Sequence, residues 1–126
     1  MLDDFRLEAT DICPKVVLSQ QTNVFEISGN CLHEDPMYFF KPVIEWLNEY
    51  VKSPNSNTEF NFFLEYFNSS SAKEIAEILF TLEKITATGN KVKVNWHHLV
   101  EDDVMEERGN EFLEISNIPF ELKSVN

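Results

Sequence analysis

Residues 60–82 read FNFFLEYFNSSSAKEIAEILFTL, and within this segment the hydrophobic pattern changes from that of a strand to that of a helix. The first eight residues alternate between two faces, one with Phe60, Phe62, Leu64 and Tyr66 and the other with Asn61, Phe63, Glu65 and Phe67. Because apolar residues occur on both faces, the pattern predicts a strand that is covered on both sides, as in the centre of an α/β sheet.

The second half of the segment has the pattern of an amphipathic helix. Its apolar residues recur at intervals of three and four, at Ile75, Ile78, Leu79, Leu82 and Ile85. Ser71 is followed three residues later by Glu74, which is a capping box, so the helix is predicted to begin at Ser71. Residues 68–71 then present hydroxyls beside free N–H groups at the positive end of a helix dipole, and we expect the functional site there.

Upstream of this segment the sequence predicts a hairpin and a helix. Residues 1–14 have no regular pattern and are predicted to be an irregular or partly extended lead-in. Residues 15–19 and 23–28 are β-prone and flank three polar residues, a spacing typical of a hairpin, and Gly29 is predicted to end the second strand. Asp35 precedes Pro36 as an N-cap signal, and the apolar face that follows predicts a helix over residues 36–52.

Downstream, Gly89 is predicted to close the second helix. Residues 91–96 alternate as a strand whose inward residues are Val92, Val94 and Trp96. Residues 101–110 are very acidic and are predicted to form a short helix or a mobile loop that ends at Gly109, with a last helical turn at residues 112–115. Residues 118–125 have strand character, and Pro119 favours an edge position.

The order of these elements predicts one α/β domain over residues 1–126, with a mixed β-sheet of about four to five strands and packed helices. The formal net charge of −12 disfavours nucleic acid and anionic membranes as partners and favours a protein with a basic patch. The acidic amino terminus is not a secretory signal, and no run approaches the roughly 18 apolar residues of a membrane span. We therefore expect a cytoplasmic protein whose Cys13 and Cys31 are free thiols.

Three consecutive serines stand out as candidate functional residues. The capping box accounts for Ser71, whereas Ser69 and Ser70 remain as a nucleophile, part of a phosphate-binding loop or a phosphorylation site. The glycines of a nucleophile elbow and the Walker pattern are both missing. Phosphorylation needs only an exposed hydroxyl, and a helix N-terminus stabilises the added charge.

The other candidate groups give weaker signals. His97 and His98 are adjacent in a predicted strand and so point to opposite faces, which disfavours a shared metal ion, and His33 lies far from them in sequence. The acidic run of residues 101–107 lacks the alternating ligands and central glycine of a calcium loop. We predict no metal site and no cofactor, and a small hydrolase that uses Ser70 or His97 remains the alternative from another class.

The sequence resembles the SiaC-family regulatory phosphoproteins, small STAS-like bacterial proteins that are related in fold to the anti-sigma-factor antagonists. The most specific match is YFNSSSAK at residues 66–73. Further matching pieces follow in the same order along nearly the whole chain: AT at 9–10, PKV at 14–16, FEISG at 25–29, ED at 34–35, PVIEWL at 42–47, VKVNW at 92–96, the acids of 101–103 and PFEL at 119–122.

The resemblance implies a non-catalytic switch. In the family, the hydroxyl residue directly after the asparagine is phosphorylated by a serine/threonine kinase and dephosphorylated by a PP2C-type phosphatase. By register this residue is Ser69, with Ser70 in reserve. The unphosphorylated form binds its effector, in the best-described branch a diguanylate cyclase. An anti-sigma-factor antagonist that acts on transcription is the alternative within the same class.

Loops at the carboxyl ends of neighbouring strands gather at one edge of an α/β sheet. We therefore expect the effector to dock over the serine turn and the loop that precedes the first helix. The predicted partner-binding residues are Glu34, Asp35, Asn68, Ser69, Ser70 and Lys73.

Overall fold

Six strands pair in chain order into one mixed sheet, and the computed structural model describes residues 1–126. The strands are β1 (Phe5–Leu7), β2 (Lys15–Ser19), β3 (Val24–Cys31), β4 (Asn57–Phe67), β5 (Lys91–Leu99) and β6 (Phe120–Val125). The first three pair antiparallel, and all later pairings are parallel. The predicted α/β class with a mixed sheet is confirmed, but β1 was missed because three residues are too few to show an alternating pattern.

All three helices cover the same face of the sheet. α1 (Pro36–Tyr50) connects β3 to β4, α2 (Ser69–Glu83) and a 3-10 turn (Lys84–Thr88) connect β4 to β5, and α3 (Asp103–Ile115) connects β5 to β6. Each connection leads to the next parallel strand in the same direction, and because such crossovers are right-handed, each helix lies on the same side. The predicted covering of β4 on both faces is therefore wrong: Phe62 is fully buried, whereas Phe63 is only half-buried and Glu65 is exposed.

A bulge in β4 reverses which face of the sheet each of its last two residues lies on. In the pairing with β3, Gly29 lies opposite Leu64 but Asn30 lies opposite Tyr66, so Glu65 is the additional residue. An extra residue shifts the two-residue alternation by one, and Phe67 accordingly joins the core while Tyr66 is exposed. The sequence pattern had predicted the opposite facing for both residues.

Other element boundaries also differ from the prediction. β3 continues through Gly29 to Cys31, because Gly29 takes a φ of 111°, a conformation that is accessible to glycine and lets the strand bend past Pro14. α1 ends two residues earlier than predicted. The hairpin of β2 and β3 is confirmed, and so are the edge position of β6 and the left-handed Gly89 that ends the turn after α2.

Trp96 fastens α3 to the sheet. It is 1% exposed, and its indole N–H donates a hydrogen bond of 2.9 Å to the Met105 carbonyl in the first turn of α3. Its ring lies 5.3 Å from that of Phe112 and 5.4 Å from that of Phe62, centroid to centroid. The acidic stretch is consequently one continuous helix, stabilised by these contacts, and the predicted alternative of a mobile loop that ends at Gly109 is wrong.

Gly109 lies inside α3 because the helix passes directly over Trp96. A Cβ at this position would be 2.5 Å from Trp96 Cδ1, well inside van der Waals contact. One of the two predicted alternatives, the loop, ended at this glycine, but in the fold the glycine lets α3 pass close to the Trp96 ring.

Replacing Gly109 by Ala is therefore expected to lower the free energy of unfolding by about 1–3 kcal/mol, as overpacking does in a tight core. Helix propensity alone predicts the opposite sign, a gain of about 1 kcal/mol. Urea unfolding measures the difference, and Asn110→Ala at the exposed neighbouring position is the matched control. A Gly109→Ala protein that is at least as stable as the parent would show that Trp96 does not constrain α3.

Candidate functional site

The carboxyl ends of β3, β4 and β5 bring the starts of all three helices to one edge of the sheet. Each helix is capped by an acidic or amide side chain. Asp35 accepts from the Tyr38 N–H at 3.1 Å, Asn68 accepts from the Ser71 N–H at 2.9 Å, and Asp102 accepts from the Met105 N–H at 3.1 Å. The predicted capping role of Asp35 is confirmed, and we refer to these three helix starts together as the carboxyl edge.

Asn68, and not Ser71, caps α2. The helix begins at Ser69, two residues earlier than predicted, and the Ser71 side chain is buried. Ser71 Oγ donates to Asn68 Oδ1 at 2.7 Å, so one amide oxygen accepts from both the backbone and the side chain of Ser71. The sequence signal was ambiguous because Asn and Ser are both strong N-cap residues and Glu74 happened to complete a box with Ser71.

The same asparagine ties the serine turn to the neighbouring loop. Its backbone N–H donates to the Cys31 carbonyl at 3.2 Å, and its Nδ2 donates to the His33 carbonyl at 3.4 Å. Directly beneath, burial raises the pKa of the Cys31 thiol. The turn is thus fixed from below, and Cys31 is a neutral, buried thiol; Cys13 is also free.

Ser69 and Ser70 are exposed at the first two positions of α2. Ser69 lies between two cavities, whereas Ser70 borders only one of them. The cavity shared by both serines measures about 340 Å³ and is lined by Asp35, Pro36, Met37, Ser69, Ser70, Lys73 and Glu74. The structure therefore brings together four of the predicted partner-binding residues around it, while Asn68 caps the helix below and Glu34 is exposed in the adjoining loop without lining either cavity.

The second cavity, which we call the α2–α3 groove, is larger and mainly apolar. It measures about 510 Å³, and its walls are Tyr66, Phe67, Ser69, Ala72, Val104, Met105, Arg108, Glu111, Phe112 and Ile115. Sequence reasoning missed Tyr66 because of the β4 bulge, and it missed Arg108 because the acidic run around it dominated the pattern. Val104 and Met105, the apolar residues inside that run, were the available signal.

Of the candidate groups of the alternative hydrolase, Ser70 lines the smaller cavity, but no histidine lines either cavity. His97 lies on the uncovered face of the sheet, where its Nε2 is 3.2 Å from Asn61 Oδ1 and burial lowers its pKa. His98 is buried, with Nδ1 2.9 Å from the Leu99 carbonyl oxygen. No three His, Cys, Asp or Glu side chains lie together in a way that would hold a metal ion.

The molecule is thus a small α/β domain whose exposed Ser69 hydroxyl, at a helix start, lies between a polar and a mainly apolar cavity. The chain belongs to the SiaC family of regulatory phosphoproteins, and the model of that family matches residues 7–125. The resemblance stated from the sequence is thereby confirmed.

Individual relatives match this chain over almost their full lengths. The Pseudomonas aeruginosa (strain UCBPP-PA14) protein PA14_02130 is 25% identical over 98% of this chain and 98% of its own length. The crystal structure of apo-SiaC from Pseudomonas aeruginosa matches with a TM-score of 0.89 at 25% identity, covering 98% of this chain and 100% of that one. A further structure contains the diguanylate cyclase SiaD in complex with its activator SiaC, and its matching chain gives a TM-score of 0.89 at 25% identity over 97% and 100%.

None of the helices has both the length and the apolar character needed to cross a bilayer.

Replacing Asn68 by Ala is expected to lower the free energy of unfolding by about 2 kcal/mol, because it removes the cap of α2 and takes an acceptor from the buried Ser71 hydroxyl. Asn68→Asp keeps the acceptor oxygen and should recover most of the loss. Ser70→Ala, at an exposed position of the same turn, should change stability by no more than about 0.5 kcal/mol. Denaturant unfolding compares the three variants, and equal stability of the Ala and Asp variants would contradict this role of the amide oxygen.

Proposed function

We propose that this chain is a phosphorylation-controlled partner-switch protein in which Ser69 is the phosphoacceptor, Ser70 is the reserve and the effector is a diguanylate cyclase. The observation that carries the proposal is the position of Ser69: it is exposed at the start of α2 and is the one residue shared by both cavities of the carboxyl edge. In the proposed role residues 1–126 act as a single regulatory domain in the cytoplasm, without catalysis of their own.

The chemistry of the switch requires little of this chain beyond an accessible hydroxyl. A serine/threonine kinase would transfer the γ-phosphoryl group of ATP to Ser69 Oγ while the hydroxyl proton leaves, and a PP2C-type phosphatase would hydrolyse the ester to serine and inorganic phosphate. The free N–H groups of the first turn of α2 stabilise the added negative charge. Ser71 is unsuited to this role because its side chain is buried and bonded to Asn68.

The surface around Ser69 is suited to a protein partner. Met37, Tyr38, Tyr66 and Val104 are large apolar side chains that are each at least half exposed, and all lie at the carboxyl edge. Exposed aromatic and methionine side chains are typical anchors of protein interfaces. Glu34, Asp35 and the acidic α3 surround them with negative charge, which favours an effector segment with an apolar anchor and basic neighbours.

The choice of effector rests on the relatives. SiaC of Pseudomonas aeruginosa forms a complex with the diguanylate cyclase SiaD as its activator, and that SiaC chain matches this one over nearly the whole length of both. We therefore propose that the unphosphorylated chain binds and activates a cyclase that makes cyclic di-GMP from GTP. Phosphorylation of Ser69 would release it, because an interface fitted around a hydroxyl has no room for a solvated dianion.

Co-expression with the serine/threonine kinase of the same organism is expected to place one phosphate on Ser69, since this hydroxyl is exposed and Ser71 is buried. Tandem mass spectrometry locates the group, and treatment with a PP2C-type phosphatase should remove it. Ser69→Ala should abolish most of the modification, with Ser70 as the residual site. Phosphate on Ser71, Thr86 or Thr88 in place of the turn would contradict the assignment.

Binding and activation of the cyclase of the same organism test the direction of the switch. Ser69→Ala is expected to bind about as tightly as the parent, whereas Ser69→Asp and Ser69→Glu should bind at least about tenfold more weakly, a loss of roughly 1.4 kcal/mol. Calorimetry gives the affinities, and synthesis of cyclic di-GMP from GTP gives the activation. Tighter binding by the acidic variants would reverse the sign of the switch, and binding without any change in synthesis would remove the cyclase as its output.

A further inference from the structure

Arg108 is the one cation in the α2–α3 groove, the cavity that it shares with Ser69. The chain has 10 Lys and Arg residues against 22 Asp and Glu, so cations are scarce on its surface. Arg108 Nη1 is paired with Glu111 Oε1 at 3.0 Å, three residues along the same helix, and the two side chains are 50% and 58% exposed. No residue of the sheet or of α2 is paired with this arginine.

The surroundings make this arginine important once Ser69 is phosphorylated. Its own helix presents the carboxylates of Asp103, Glu106, Glu107, Glu111 and Glu114, which would repel a phosphate. On the other side of Ser69, Lys73 lines a cavity that also contains Asp35 and Glu74. Arg108 is therefore the group that would offset the new charge on the groove side.

The existing partner of Arg108 is easily exchanged. An exposed ion pair between residues three apart on a helix contributes little to stability, and Glu111 loses little if it returns to water. A guanidinium matches phosphate oxygens in bidentate geometry, and the resulting charge-assisted hydrogen bonds are stronger than those to an exposed carboxylate in water. The exchange from Glu111 to phosphoserine is thus favourable.

We propose that Arg108 binds phosphorylated Ser69 within the same chain and in doing so closes the α2–α3 groove. The inference rests on the proposed phosphorylation of Ser69 and adds a mechanism by which phosphorylation releases the effector. The arginine side chain would cross from α3 towards the start of α2, over the apolar floor that includes Phe67 and Phe112. The effector would lose both the free hydroxyl and the access of an apolar anchor to the groove.

The test installs phosphoserine at position 69 during translation, so that it does not depend on any kinase. The second pKa of the phosphate, ordinarily about 6, is measured by ³¹P NMR titration of the full chain. With Arg108 bound it should lie below that value, and Arg108→Gln should raise it by about one unit, as expected for loss of a cation in contact. Arg108→Lys, which keeps the charge but not the bidentate geometry, should fall between the two.

Matched variants make the result specific. Arg6→Gln removes the other arginine, which is paired with Asp4 next to β1, and should leave the phosphate pKa unchanged. Lys73→Gln tests the neighbouring cation on the opposite side of Ser69. An unchanged pKa in Arg108→Gln, or an increase found only in Lys73→Gln, would overturn the proposal. A kinase that modified a different residue would instead contradict the proposed function and leave this measurement intact.

Discussion

The fold depends on one topological constraint: β3, β4, β5 and β6 follow one another in space as they do in sequence, all parallel. Right-handed crossovers between such strands place α1, α2 and α3 on a single face. Their N-termini consequently meet at one edge, where Asp35, Asn68 and Asp102 cap them. The opposite face carries a polar network, in which Asn95 Nδ2 donates to Glu59 Oε1 at 2.8 Å and to Asn61 Oδ1 at 3.0 Å. The two faces of the sheet therefore differ in chemistry, and exposed apolar side chains such as Met37, Tyr38 and Tyr66 lie at the carboxyl edge.

The carboxyl edge consists of a hydrogen-bonded serine turn and a surrounding rim of exposed side chains. Asn68 holds the backbone of the serine turn through four hydrogen bonds that reach Ser71, Cys31 and His33. The rim, in contrast, includes exposed side chains such as Tyr66 and Arg108. In the proposed switch a phosphate therefore alters the rim and the charge while the backbone stays in place, and removal of the phosphate restores the same surface.

Much of this architecture was predictable from the sequence, and most of the failures share one physical cause. The change of period after Phe67, the hairpin and the Asp35-Pro36 helix start are local signals, and the structure confirms them. Four features depend on contacts between elements far apart in the chain. They are the β4 bulge, the Asn68 cap, the single covered face and the close packing of Gly109 on Trp96. Periodicity within one segment cannot report such contacts. The position of the serine turn was accordingly predictable, whereas its partners Arg108 and Tyr66 emerged only from the packing of α3 against β4.

Hydroxyl-radical footprinting of the chain, free and bound to its cyclase, compares the carboxyl edge with the uncovered face of the sheet most directly. Met37, Tyr38 and Tyr66 at the carboxyl edge should lose most of their oxidation when the cyclase binds, because all three are at least half exposed in the free chain. Phe63 and His97 on the uncovered face, which are partly exposed, should keep theirs. Protection of Phe63 and His97 with unchanged oxidation of Tyr66 would show that the open face is the binding surface and that Ser69 does not lie in the interface.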